Sequence, residues 1–252
     1  NVYKALRKKD IKLNGKRITE NLILHKGDIV EVYISDDILF GTKNISIPIV
    51  YEDENIVVFN KPASLEVVGN NSLTSIMKQK YNFIEPCHRI DRNTLGLVLF
   101  AKNNETLSIL LDKFKNSEIE KHYIACVYGI VPKHSQTLNG YLFKDSKKSI
   151  VHISDNFQKG YVPIKTSYKV VTENKNKKIA LLDVTLHTGK THQIRAHLAH
   201  IGLPIIGDGK YGSYDINKRF NVSSQLLCSY SLTFNFKDDS GKLNYLKNLK
   251  IS

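Results

Sequence analysis

The sequence has no tryptophan, one methionine, six prolines and three cysteines in 252 residues. Cys87, Cys126 and Cys228 stand far apart, which excludes a CxxC metal or redox pair. So small and odd a number fits a reducing cytoplasm better than a disulfide-stapled secreted domain. No apolar run comes near the roughly 20 residues that a membrane-spanning helix needs, so no membrane partner is expected. The chain opens NVYKALRKKD, with neither a methionine nor the apolar segment of a signal peptide, and is expected to start inside a longer protein. Acidic residues are also scarce: 24 Asp and Glu against 37 Lys and Arg leave a net charge of +13. That surplus suits a polyanion, whose phosphates release counterions when Lys and Arg neutralise them. It is also what a Lys-rich solvated surface looks like. Apolar residues at 41% and charged residues at 24% are ordinary for a globular chain long enough for one sizeable domain plus an appendage.

Several common signatures are missing. Gly189-Lys190-Thr191 resembles the end of a phosphate-binding P-loop, but that motif requires glycine five positions before Gly189, where Val184 stands. No GxSxG elbow and no GxGxxG after a strand occur. His187, His192, His197 and His200 crowd one region, and only His197 and His200 share a helical face at a spacing of three. Without an HExxH or a nearby acidic ligand, no metal is expected.

The chain alternates short β-rich runs with fewer helices. Residues 1–36 form a basic module: a helix over VYKALRKK, a strand IKL, the hairpin turn Asn14-Gly15, and a strand within IVEVYI. Through Lys26 it carries eight Lys or Arg and two acids. A second domain spans 45–252. It opens with a hairpin, IPIVYEDENIVVFNKP, whose second strand is stopped by Lys61-Pro62. Helices are expected over 73–81, 105–114 and 192–201, and strands over 97–101, 123–130, 167–172, 179–186 and 226–236. Residues 137–165 read as polar and irregular, with Lys144, Lys147 and Lys148 near the middle. The fold class is α+β, a mostly antiparallel mixed sheet with flanking helices, plus the small N-terminal α/β module.

Chemistry concentrates in CHRIDRNTLGLVLFAK, residues 87–102. Asp91 lies between Arg89 and Arg92 just before an apolar strand. Either this is a salt-bridged surface turn, or it holds a carboxylate of lowered pKa at a pocket mouth, fit for nucleophilic or electrostatic work. Arg195, on the helix over 192–201, is either a solvated side chain or a planar fork aimed at a carboxylate or phosphate. In Lys121-His122-Tyr123, the tyrosine is either core or an aromatic face for a base.

Four ordered stretches resemble RNA pseudouridine synthases of the RluA family. They are YEDENIVVFNKPASL, HRIDRNTLGLVLFAK, KHYIACVYG and HTGKTHQIRAHLAHIGLPIIGDGKYG, covering residues 51–212. The resemblance implies a pseudouridine synthase fold and isomerisation of uridine in structured RNA, 23S rRNA or tRNA, without a cofactor. It implies that Asp91 is the catalytic aspartate, that Arg195 pairs with it, and that Tyr123 packs on the uracil. Arg89 would fill the space left by a flipped base, and His88, Lys61 and His192 would join it in binding substrate. The N-terminal module resembles a truncated S-four-type RNA-binding domain, with Lys4, Arg7, Lys8, Lys9, Lys12, Lys16 and Arg17 on the RNA backbone and the Lys144–Lys148 loop assisting. Two departures stand out: Leu95 replaces the family's serine before Gly96, and Ser64 replaces the glycine expected after Lys-Pro-Ala. The expected protein is a cytoplasmic monomer. The alternative is a catalytically inactive RNA-binding or ribosome-assembly protein on the same fold.

Overall fold

The computed structural model describes residue 6, residues 10–33 and residues 46–252. The chain divides into two compact units, residues 1–46 and 47–252. The helix expected over VYKALRKK lies outside the described residues, apart from Leu6. The same holds for Lys4, Arg7, Lys8 and Lys9.

In the first unit, β1 (Ile11–Leu13) pairs antiparallel with β2 (Lys16–Arg17) and with β3 (Val30–Val32). Asn14 and Gly15 both take positive φ, 50° and 77°, as a two-residue turn between right-twisted strands requires. The Asn14 side chain also accepts from Ile29 N at 2.9 Å and donates to Asp28 Oδ1 at 2.8 Å, which ties the hairpin to the start of β3. Leu6 and Ile11, with Ile18 alongside, make its small core.

The second unit is built on an 11-stranded sheet. Its strands are β4 (Ile49–Glu52), β5 (Ile56–Lys61), β6 (Glu85–Pro86), β7 (Leu95–Ala101), β8 (Ile119–Tyr128), β9 (Ser135–Asp145), β10 (Ile150–Ser154), β11 (Val162–Asn174), β12 (Ile179–Leu186), β13 (Leu227–Phe234) and β14 (Lys250–Ile251). The order is β10-β9-β11-β12-β8-β13-β7-β5-β4, with β14 on β13 and β6 on β7. Among the described residues only β13 and β7 run parallel, meeting at Cys228–Leu95 and Ser229–Gly96. The helices are α1 (Leu73–Met77), α2 (Asn104–Lys115), α3 (Gln193–His200) and α4 (Tyr214–Arg219).

Both faces of the sheet are covered near its middle, which is why β5 and β7 read as unbroken apolar runs. Val57, Phe59, Val98 and Phe100 face a core shared with α1 and with Ile194 and Leu198 of α3. Ile56, Val58, Leu97 and Leu99 face the opposite core, shared with Leu110 of α2 and with Leu243 and Leu246. Asn103 caps α2 by accepting from Thr106 N at 2.9 Å, and Glu105 and Lys115 sit at the dipole ends that suit them.

Register brings one transverse row of residues together. Lys61 of β5, Gly96 of β7, Ser229 of β13, Tyr123 of β8 and Val184 of β12 are successive partners across five strands. Gly96 makes the row possible. A Cβ there would lie 2.0 Å from Ser229 O, and its φ is +107°.

The structure corrects the expectation of an irregular 137–165. That stretch holds β9, β10 and the start of β11, the outer end of the sheet. Only alternate positions such as Leu138 and Leu142 are buried there, so the apolar signal is thin. The helix expected to reach Tyr81 stops at Met77 and runs on as turns.

Candidate active site

Asp91 stands in the loop between β6 and β7. Its backbone carbonyl accepts from Thr94 N at 3.0 Å, and Gln225 Nε2 donates to the buried Thr94 Oγ1 at 2.7 Å. Arg195, on α3, reaches it: Nη1 donates to Asp91 Oδ2 at 2.8 Å. The Asp91 side chain keeps 26% of its exposure while that of Arg195 keeps 7%, so one face of the carboxylate remains open. The partner is therefore the distant arginine rather than the sequence neighbours. Arg92 Nε donates to Ser64 O at 3.1 Å, and Arg89 is exposed with no hydrogen bond or ion pair among the described residues.

The arginine is itself clamped. Asp208, whose side chain is fully buried, accepts Nε at 2.7 Å and Nη2 at 2.9 Å. Asp208 Oδ1 also accepts from the backbone N–H groups of Lys210 and Tyr211. Burial alone would raise the Asp208 pKa, but the Arg195 bonds and charge overrule it and hold the carboxyl below its ordinary value. Burial likewise works against the Arg195 charge, yet Asp208 and then Asp91 push its pKa up. The Tyr211 ring stacks 5.3 Å from the guanidinium carbon. Tyr211 is held in turn: its hydroxyl accepts from Val151 N at 2.8 Å and lies 2.8 Å from His192 Nδ1. With two carboxylates around one planar fork, Arg195 has little freedom left.

Tyr123, 4% exposed, lines the same cavity as Asp91 and Arg195, a space of about 450 Å³. Burial raises its phenol pKa and the Asp91 charge adds to this, so it stands in the cavity as a neutral hydroxyl and an aromatic wall. A second cavity of about 740 Å³ shares Arg89, Asp91, Lys190, His192 and Arg195 in its wall and adds Arg92 and Lys210. His192 opens α3 at φ +53°, and burial lowers its pKa against the pull of Asp91. Gln193 fixes the loop before it, accepting from Lys190 N and donating to Thr166 Oγ1.

Two residues expected to bind substrate are tied into the protein itself. Lys61 is fully buried, and its ammonium donates to Pro62 O, Leu65 O and Arg92 O at 2.7–3.0 Å. With all three hydrogens committed, it fastens the Asp91 loop to β5 and has none left for a ligand. Burial lowers its pKa to about 8 even though Asp91 pulls the other way. His88 accepts from Leu99 N at Nε2, its Nδ1 is sealed away from solvent, and its ring packs 5.0 Å from Phe114. Burial, then the charge of Lys121, takes its pKa down to about 3, so it stays a neutral wall residue.

Of the departures, Leu95 begins β7 with 41% of its surface exposed, where serine or leucine is sterically equal. Ser64 sits at φ +66°, the left-handed region that glycine enters freely. Sequence reasoning missed Asp208 and Tyr211. The available signal was an acid between Gly207 and Gly209 in a segment otherwise rich in Lys and His. The four crowded histidines disperse: His187 bonds Ser167, His197 bonds Thr166 and His200 bonds Asp155. Lys12 donates to Tyr33 Oη at 2.9 Å, whereas Lys16 and Arg17 are exposed.

A mostly antiparallel sheet carrying an ion-paired carboxylate, a buried tyrosine and a cation-rich cleft near its parallel seam has the make-up of a site for an anionic substrate. The profile of the RNA pseudouridylate synthase family matches residues 55–200, and the chain belongs to that family, isomerases that convert uridine in RNA to pseudouridine. It is 32% identical to ribosomal large subunit pseudouridine synthase C of Buchnera aphidicola subsp. Baizongia pistaciae, over 92% of this chain and 80% of that one. It is also 32% identical to an uncharacterized RNA pseudouridine synthase of Mycoplasma capricolum, over 98% and 86%. Human RNA pseudouridylate synthase domain containing 1 shares the fold, with a TM-score of 0.66, 21% identity, and 77% and 80% of the two chains covered. Among the described residues no helix is long and apolar enough to cross a membrane.

Proposed function

We propose that the chain makes pseudouridine in large-subunit ribosomal RNA, with Asp91 as the reacting carboxylate. The observation that carries this reading is the 2.8 Å pair between Arg195 and a half-open Asp91, in a cavity that also holds Tyr123. The reaction breaks the bond from uracil N1 to ribose C1′, turns the base and rejoins it through C5. One proton leaves C5 and one arrives at N1, so atoms balance within the nucleotide and no cofactor is needed. Asp91 can serve by attack at C6, by attack at C1′, or by stabilising a glycal-like intermediate. Arg195 holds its orientation, and the Tyr123 ring supplies a flat face for the uracil. Arg89, exposed in the wall of both cavities, fills the stack when the target base leaves it, an extrusion costing about a few kcal/mol. The relatives' names and shared length support ribosomal RNA as substrate. The three free cysteines support a cytoplasmic setting. The N-terminal unit, with Lys16 and Arg17 exposed on β2, acts as a partial S-four-like RNA contact.

Asp91→Asn is the direct test. The variant should melt like the parent, bind RNA within about threefold of it and form no pseudouridine. An active Asp91→Asn protein, with deamidation excluded by mass spectrometry, overturns the assignment. Mapping pseudouridine in total RNA with and without the gene identifies the uridine, and a site lost from tRNA alone would overturn the choice of ribosomal RNA.

A further inference from the structure

Of the cations lining the cavity, Lys121 is the half-buried one that no carboxylate pairs among the described residues. Lys121 lies two residues before Tyr123 on β8, so both side chains leave the same face of the strand and line the same cavity as Asp91. Its ammonium sits 5.0 Å from the centre of the Phe114 ring and makes no hydrogen bond or ion pair among the described residues. The cavity wall is poor in free counter-charge: beside Phe114, Leu111, Leu186, the neutral His88 and the cations Lys115 and Lys190 it holds one carboxylate, Asp91, and that is paired with Arg195. Gly189 closes one side, and a Cβ there would come within 3.6 Å of the ammonium nitrogen. Burial lowers the Lys121 pKa, the mark of a charge taken out of water without compensation. An unpaired ammonium in such a place is costly unless a ligand completes it.

We propose that Lys121 is a further catalytic residue that donates to a carbonyl oxygen of the flipped uracil. This rests on the reading of Asp91 and Tyr123 above. The chemistry favours a base oxygen over a phosphate. Attack at C6 sends an electron pair to O4. Cleavage of the C1′–N1 bond, by either other route, leaves the pair on N1, shared with O2 and O4. In every case charge develops on a carbonyl oxygen of the base, and a single ammonium against an apolar wall strengthens its bond as that charge grows. A backbone phosphate would better suit the exposed Lys190 and Lys210, where water solvates its remaining oxygens.

Single-turnover rates and RNA affinity for Lys121→Met, Lys121→Arg and Asp91→Asn test this on RNA carrying uridine, 2-thiouridine or 4-thiouridine at the target. Lys121→Met should slow conversion about 100-fold, the scale of losing one donor to a developing oxyanion, with RNA affinity within about threefold. Lys121→Arg should recover part of the rate. Sulfur, a weaker acceptor, should slow the parent enzyme at one of the two positions and add nothing to the Lys121→Met loss there. Three results would each overturn the inference: a Lys121→Met rate within threefold of the parent, a loss carried by affinity, or additive losses at both positions. An active Asp91→Asn variant would instead overturn the site on which the inference stands.

Discussion

Arg195 is the residue on which the site turns, and what holds it in place is Asp208. One guanidinium serves two carboxylates: Nε and Nη2 go to a buried acid, and Nη1 is left for the half-open one. Removing the buried acid leaves Arg195 Nε and Nη2 unpaired in the core, with only the half-open Asp91 as counter-charge, so Asp208→Ala should cost about 3–5 kcal/mol in urea unfolding, the usual penalty for breaking a buried pair from one side. The pH dependence follows from the sign. Asp208 has a folded pKa below its unfolded value. Its contribution to stability is therefore complete above the unfolded carboxylate range near pH 4 and is lost as pH falls through the folded pKa. The parent should lose stability on acidification below pH 4 more steeply than Asp208→Asn, which has no such carboxylate to protonate. Matching acid limbs in the two proteins would contradict the clamp. Lys61 works at the same scale with different chemistry. Its three bonds to backbone carbonyls join β5 to the Asp91 loop, so a buried cation stabilises a loop rather than a ligand.

At the scale of elements, the site lies where β7 and β13, the parallel pair, come closest. Gly96 sets that approach. Gly96→Ala puts a methyl group 2.0 Å from Ser229 O and forces a residue with a Cβ to φ +107°. Overpacking and left-handed strain together should cost about 2–5 kcal/mol. Because Tyr123 is the next partner of Ser229, the damage should reach the cavity as well. Thermal melting and pseudouridine formation should therefore fall together in this variant; a stable but inactive Gly96→Ala protein, or a fully active one, would show that the row across β5, β7, β13 and β8 does not couple seam to site. These elements were the legible ones. Continuous apolar runs announce β5 and β7, and the charged cluster before β7 announces Asp91. Arg195, as Asp91's partner, was legible only through the order of the motifs, since 104 residues separate the two. Asp208 carried only the weak signal of an acid between two glycines, and that does not say that the acid is buried. The strands β9 and β10 were hidden by their position at the end of the sheet, where one face meets solvent and the alternation is polar on every other residue.

The whole molecule carries a charge of +13, and the fold decides where that charge counts. Lys190, His192 and Lys210 border the second cavity, and a third hollow lined by Lys144, Ser149, His192 and Lys210 continues toward the turn between β9 and β10. Lys210 Nζ donates to Ser149 O at 2.6 Å, so that turn is fastened to the site wall. Lys144, Lys147 and Lys148 are exposed there, which makes a basic track leading from the turn to Asp91. A phosphate backbone lying on such a track displaces counterions, and affinity for RNA should then fall about 10³-fold or more between 50 and 200 mM salt if six or more phosphates are engaged. Replacing Lys144, Lys147 and Lys148 with alanine should weaken binding for all RNA sequences alike. It should also reduce the slope of log affinity against log salt by about 2–3, since each lost contact removes roughly 0.7–0.9. The conversion rate at saturating enzyme should stay within about twofold, because none of the three reaches the cavity that holds Asp91 and Tyr123. An unchanged slope would mean that these lysines are solvated charge and that the RNA follows another face. A lower conversion rate at unchanged slope would mean that the turn shapes the site rather than the path to it.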